Sequence, residues 1–225
     1  MDTSKQFTTA GFVVLEQLLS PIELQQIENL LATTPLSNAG SRELLNETWC
    51  QTLANQLKTN QRLVSLLPNP TIAIQCTLFK KSIEKNWLVP LHQDLSISLK
   101  KKLDKQGDTG WSAKQQMLFV QPPAEILEQL VAVRLHIDDC FAEHGPLKVV
   151  AGTHQQGRIP EKDWPTIRNQ LGEQTCLTAK GGAVVMRPLI LHSSSKAEQA
   201  KGRRVLHFLF APAALANELP LQFSI

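Results

Sequence analysis

Tyrosine is missing altogether, so no chemistry here can rest on a phenol. The four cysteines, Cys50, Cys76, Cys140 and Cys176, lie far apart with no C-x-x-C pair. That argues against a zinc ribbon or a redox dithiol and suits a reducing compartment, the cytoplasm. No apolar run approaches the roughly 18 residues of a membrane-spanning helix. The opening Met1-Asp2-Thr3-Ser4-Lys5-Gln6 lacks the basic start and apolar stretch of a secretory signal. Charge of either sign is nearly balanced, 23 Lys and Arg against 20 Asp and Glu, too even to indicate nucleic acid. The one dense basic stretch, Lys100-Lys101-Lys102 with Lys105, has no interleaved aromatics for base stacking and reads as a solvated loop. Neither nucleic acid nor a membrane is expected as a partner, and oligomeric state is not legible.

What is present is a globular composition, 42% apolar and 19% charged over 225 residues, enough for one domain spanning 1–225. The first 70 residues read as a helical flank. Ser20-Pro21-Ile22-Glu23 is a capping-box start with proline at the first helical position, followed by Ile27, Leu30 and Leu31 at helical spacing. A second helix is expected over 41–57 and a short third over 61–67, before Asn69-Pro70. Gly11 to Leu15 has strand composition. From Thr71 onward short strands dominate: 71–79, 130–137, 147–150, 175–178, 183–186, 189–192 and 205–210, most bounded by Gly, Pro or polar turns. That texture predicts a β-sandwich or barrel with the helices packed outside one sheet. Residues 98–120 show no clear periodicity and read as an insertion or lid.

Chemistry concentrates at His92-Gln93-Asp94. An imidazole and a carboxylate two residues apart on an extended chain face the same way and can take adjacent positions on one metal. His192, which ends the apolar run Pro188-Leu189-Ile190-Leu191, is the leading third ligand. Two histidines and a carboxylate form the facial triad of non-haem Fe(II) oxygenases. Eleven residues after His192, Gly202-Arg203-Arg204 opens the last strong strand. A guanidinium there suits a carboxylate held by two parallel hydrogen bonds, and a keto-dicarboxylate such as 2-oxoglutarate would span iron and arginine. Only one of Arg203 and Arg204 can face inward. Alternation alone leaves the choice between Arg203 and Arg204 open.

These pieces in order resemble the phytanoyl-CoA dioxygenase-like family of Fe(II)/2-oxoglutarate oxygenases. The resemblance runs from Gly11-Phe12-Val13-Val14-Leu15 through His92-Gln93-Asp94-Leu95, His144-Gly145-Pro146-Leu147 to Gly152-Thr153-His154, Gly182 to His192, and the strand from Arg203. It implies a mainly β fold with flanking helices, a double-stranded β-helix or cupin-like jelly roll with the N-terminal helices on one sheet. It further implies iron ligands at His92, Asp94 and His192, 2-oxoglutarate on Arg203 and Ser194, and O₂ as the third participant. The implied reaction is hydroxylation of an aliphatic C–H bond of a small organic substrate, with release of succinate and CO₂. The presence of Asp94 argues against halogenation, since related halogenases lack that carboxylate.

Gly145 is expected to serve a tight turn. The sequence departs from the family at the strand before it, where an aromatic is common and Arg134 and His136 stand instead. If Arg134, His136 and Asp138 alternate inward they could grip an anionic substrate; an Arg134–Asp138 ion pair is the structural alternative. Gln75, Thr77, Trp111, Arg134 and His136 are the candidate substrate residues. The insertion keeps a CoA thioester from being inferred. Two other readings stand beside the enzyme: a jelly roll that binds metal or ligand without turnover, and a CoA- or nucleotide-binding partner protein using Lys100 to Lys105.

Overall fold

The computed structural model describes residues 2–34, 41–81, 86–102, 109–198 and 203–225. Lys105 and Gly202, both singled out above, lie outside the described residues. Helix α1 (Thr3–Ala10) is capped by the Asp2 carboxylate, and it runs into strand β1 (Phe12–Leu15) through Gly11. Helix α2 (Pro21–Thr33) carries the expected capping box, with Ser20 and Glu23 satisfying each other's backbone.

Helix α3 (Thr48–Thr59) begins later than the sequence predicts. Residues 41–43 are drawn alongside the first long strand instead: Leu78 N–H donates to Ser41 O at 2.8 Å, and Glu43 bridges to Cys76. Residues 61–67 form hydrogen-bonded turns and no helix. Seven residues ahead of two prolines are too few to propagate one, although Leu63, Leu66 and Leu67 are buried.

The strands are β2 (Thr71–Lys81), β3 (Val89–His92), β4 (Ile97–Leu99), β5 (Thr109–Lys114) and β6 (Met117–Gln121), then, after α4 (Ala124–Leu127), β7 (Val131–His136) and β8 (Leu147–Val150). Helix α5 (Trp164–Leu171) precedes β9 (Gln174–Cys176), β10 (Ala183–Met186), β11 (Leu191–Ser194) and β12 (Arg203–Pro212), and α6 (Leu215–Glu218) follows. A five-stranded antiparallel sheet in the order β1-β10-β7-β12-β2 faces a four-stranded one, β3-β11-β8-β9, in a jelly-roll sandwich.

Strand β11 starts two residues later than expected, because Arg187 to Ile190 closes a turn, Ile190 N–H donating to Arg187 O. Residues 98–120, expected as an insertion, contribute most of a third sheet, β4-β6-β5. Its outer strand β5 is solvent-exposed at both ends and so carries no apolar alternation.

Two apolar layers follow from strand alternation. Outside the five-stranded sheet, Leu24, Ile27 and Leu31 of α2 and Leu53 and Leu57 of α3 pack on Val133, Leu135, Leu206 and Phe208. Between the sheets, Ala132, Val184, Met186 and Leu209 meet Leu147, Val149 and Ile190. Polar residues sharing that inner face, Arg134 and His136 on β7 and Arg203 and His207 on β12, are thereby buried inside the sandwich. Among the described residues no helix is long and apolar enough to cross a membrane.

Gly145 links β7 to β8 at φ 63°, and a Cβ added there would lie 2.5 Å from Ser195 O. Backbone faces it, so the neighbour cannot swing aside. We expect Gly145→Ala to destabilise the fold by about 2 kcal/mol or more, lowering the thermal midpoint by roughly 4–8 °C. An unchanged midpoint would show that the turn tolerates a side chain.

Candidate metal centre

Strands β3 and β11 are hydrogen-bonded neighbours, and their register sets His92 directly across from His192. The two rings stand 4.1 Å apart, centroid to centroid. Asp94 lies just beyond the end of β3, where its N–H donates to Pro188 O at 2.9 Å. The intervening Gln93 turns the other way into the protein. Its amide donates to Leu189 O at 2.6 Å and Gly157 O at 2.9 Å, and its carbonyl accepts from Ile159 N–H at 2.9 Å. That anchor, to which the sequence alone assigns no role, fixes the turn from which Asp94 projects.

A backbone carbonyl can only accept, so the short Nδ1 contacts of both rings define their tautomers. His92 Nδ1–H donates to Pro90 O and His192 Nδ1–H to Ile190 O, each at 2.8 Å. In the neutral rings both Nε2 atoms are then bare lone pairs. They face the Asp94 carboxylate, His92 Nε2 at 3.6 Å from Oδ1 and His192 Nε2 at 3.6 Å from Oδ2. Lone pairs converging on a carboxylate repel unless a cation stands among them. The three donor atoms lie within 4.8 Å of one another, and two imidazoles with one carboxylate suit a divalent first-row metal.

Burial drives the His192 imidazole down to about 3, against the pull of Asp94. Burial also lowers His92, but the Asp94 carboxylate beside it outweighs that and its net shift is upward. Burial would raise Asp94, yet the surrounding His192, His92 and His207 rings hold its carboxyl well below the usual range.

Beside these donors is a cavity of about 210 Å³ lined by Lys81, Arg134, Ser194 and Arg203, with Phe79 and Trp87 as apolar walls. The three cations are almost fully buried, with relative exposures of 2%, 8% and 5%. Among the described residues none of them forms a salt bridge with a carboxylate. Lys81 Nζ donates to Ser195 O at 2.8 Å and Ser194 Oγ at 3.3 Å, and burial followed by Arg203 lowers it to about 8. Arg203 donates to the backbone carbonyls of His144 and Gly145 and to Cys140 Sγ, while its Nε has no partner. Among the described residues Asp94 is the one carboxylate lining this cavity against three buried cations, an excess of positive charge that suits an anion.

Alternation separates the two arginines. Arg204 points outward, gripping Asp138 through Nε at 2.9 Å and Nη2 at 2.7 Å, and Glu28 of α2 through Nη2 at 2.8 Å. It ties helix to sheet and does not reach the cavity. Asp138 is thus taken by Arg204, and the alternative of an Arg134–Asp138 pair does not form. The strand ends at His136, so Asp138 falls out of its alternation.

A second cavity of about 360 Å³ shares Phe79, His92 and Asp94 with the first and is lined further by Gln75, Thr77 and His207. Gln75 and Thr77, candidate substrate residues, thus both line this cavity. Arg134 lines the smaller cavity and not this one. Trp111 lines neither; it sits on β5 against the inner apolar layer. His136 lines neither also, and burial, then Arg134, pushes it down to about 3, with both ring nitrogens lacking a hydrogen-bond partner among the described residues. Lys81 and His207 join the site without having been expected from the sequence. Stepping by two from Arg203 along β12, or from Thr77 along β2, reaches both.

Among curated proteins no sequence matches the chain. Among solved structures, the α-ketoglutarate-dependent epimerase SnoN from nogalamycin biosynthesis superposes with a TM-score of 0.66 at 14% identity, covering 93% of this chain and 81% of SnoN. HygX from Streptomyces hygroscopicus, solved with nickel and 2-oxoglutarate, gives 0.64 at 17% identity, over 94% and 88%. EctD from S. alaskensis, in its apo form, gives 0.68 at 15% identity, over 94% and 76%. At these identities the likeness is one of fold. The family model for phytanoyl-CoA dioxygenase matches residues 7–205. Nearly the whole sandwich falls inside that match, and the chain belongs to the phytanoyl-CoA dioxygenase family of Fe(II)- and 2-oxoglutarate-dependent oxygenases.

Proposed function

We propose that the protein hydroxylates an aliphatic C–H bond of a small organic substrate, so that substrate, 2-oxoglutarate and O₂ become alcohol, succinate and CO₂. His92, Asp94 and His192 hold the Fe(II), and Arg203 with Ser194 takes the far carboxylate of 2-oxoglutarate. The iron, when bound, supplies the activation of O₂ that no side chain here can perform. One observation carries the reading: two imidazoles of fixed tautomer and an acid group converge beside a cavity lined by three buried cations that form no salt bridge among the described residues. A jelly roll that only bound a metal would have no use for those cations.

The chain's own residues then have distinct tasks. Lys81 adds charge beside Ser194, where the dicarboxylate would end. Phe79 and Trp87 keep water from the same space. The larger cavity would receive the substrate, with Gln75 and Thr77 offering polar contacts beside the metal ligands. Arg42 and Lys114 at its lining against the single acid Glu161, apart from Asp94, support a substrate bearing an acidic group. All four cysteines are free and buried, which supports a cytoplasmic location.

Anaerobic addition of Fe(II) and 2-oxoglutarate should give a weak visible charge-transfer band in the wild type and none in Asp94→Ala. No band in the wild type at saturating ligand would contradict the reading. Arg203→Gln should weaken 2-oxoglutarate binding by about 10- to 100-fold, as expected for losing a charged hydrogen-bonding partner. Arg204→Gln should leave that affinity alone and lower the thermal midpoint instead. The opposite pattern would reverse the two assignments.

Both ligand rings must be neutral to bind metal, and His92 is shifted upward, so protons compete there first as pH falls. Metal occupancy at limiting Fe(II) should drop between about pH 7.5 and about pH 5. Equal occupancy at both ends would contradict the ligand assignment.

A further inference from the structure

His207 has no task in the function proposed above, yet the fold spends unusual effort on it. It is buried on the inner face of β12, opposite Arg134 of β7 in the strand register. Arg134 Nη1 lies 3.0 Å from His207 Nδ1. A guanidinium donates and never accepts, so Nδ1 must be the acceptor and the ring proton sits on Nε2. This is the reverse of the tautomer at His92 and His192. The ring is also fixed from the side, with Phe79 edge-on at 5.8 Å and 75°, while the Arg134 guanidinium rests 5.5 Å from the same Phe79 ring.

The Nε2–H so presented faces the metal ligands. His207 Nε2 is 3.8 Å from Asp94 Oδ2, a gap that a small turn of the carboxylate about its soft terminal torsion closes. Among the described residues no other N–H or O–H donor is aimed at that carboxylate, because His92 and His192 both offer it lone pairs. A carboxylate giving one oxygen to a metal has the other left to satisfy, and a free second oxygen allows the group to rotate or chelate through both.

We propose that His207 is a positioning residue that donates Nε2–H to the oxygen of Asp94 not given to the metal, and that Arg134 dictates the tautomer in which it can do so. The inference rests on His92, Asp94 and His192 being the ligands. It also gives the buried Arg134 a reason to be a cation. An aromatic could fill the space but could not place the proton on the far side of His207.

The test is Co(II) binding to the metal-free protein without 2-oxoglutarate, followed by titration and by the visible spectrum of the bound ion. His207→Phe should weaken binding by about 10- to 100-fold, the range for losing a hydrogen-bond partner of a metal ligand, and should shift the Co(II) bands. His207→Gln places an amide N–H near the lost Nε2–H and should restore most of the affinity. Arg134→Met, which frees the ring to change tautomer, should weaken binding as well, and the double variant Arg134→Met/His207→Phe should be no weaker than His207→Phe alone. A folded His207→Phe protein with wild-type affinity and spectrum would overturn the proposal, as would a His207→Gln protein no better than His207→Phe. If His207→Phe does not fold, Arg134→Met decides in its place: weakened binding supports the proposal and unchanged binding overturns it. A wild type that fails to bind Co(II), or Asp94→Ala binding it equally well, would instead overturn the ligand assignment beneath.

Discussion

The Nδ1–H groups of His92 and His192 are each held at 2.8 Å by the carbonyl two residues back, and much of what this protein can do follows from those two hydrogen bonds. They leave both Nε2 lone pairs pointing at the same carboxylate. Without an ion that convergence is unfavourable, and three donor atoms so placed would suit a divalent first-row metal. The strand register that opposes His92 to His192, and the Gln93 side-chain anchor that sets Asp94 beyond the strand end, are the scaffold's contribution.

The same sandwich bears a second electrostatic load. Lys81, Arg134 and Arg203 face one small cavity where, among the described residues, none of them forms a salt bridge, a cost that folding must offset through the two apolar layers around it. Arg204, one residue from Arg203, shows the contrast, because its charge is spent on Asp138 and Glu28 to fasten a helix. The inward cations carry no salt bridge among the described residues, and the outward one holds the scaffold. Destabilising placement of charge is what a binding site looks like from the standpoint of stability.

How far the sequence alone reveals this depends on which physical rule each residue obeys. His92, Asp94 and His192 are legible because a metal demands particular donors at workable spacing. The choice of Arg203 over Arg204 is half legible: alternation says that one faces inward, but which one waits on the strand register. His207 and Lys81 carry no local signature, since their meaning comes only from neighbours distant in sequence, Arg134 and Ser194. Asp138 does not follow Arg134 and His136 inward because alternation does not continue past the end of the strand at His136, and the alternative Arg134–Asp138 pair gives way to Arg204. The helix start at Thr48 and the three strands around 98–120 are hidden for a similar reason, as pairing with remote segments overrides weak local preference.

Anomalous diffraction at the iron edge, from crystals grown anaerobically with Fe(II) and 2-oxoglutarate, puts the account to its most direct test. It predicts one strong peak within about 2.2 Å of His92 Nε2, His192 Nε2 and an Asp94 oxygen. The dicarboxylate should run from that peak to the Arg203 guanidinium. A peak held by other side chains, or none at these three, would contradict it.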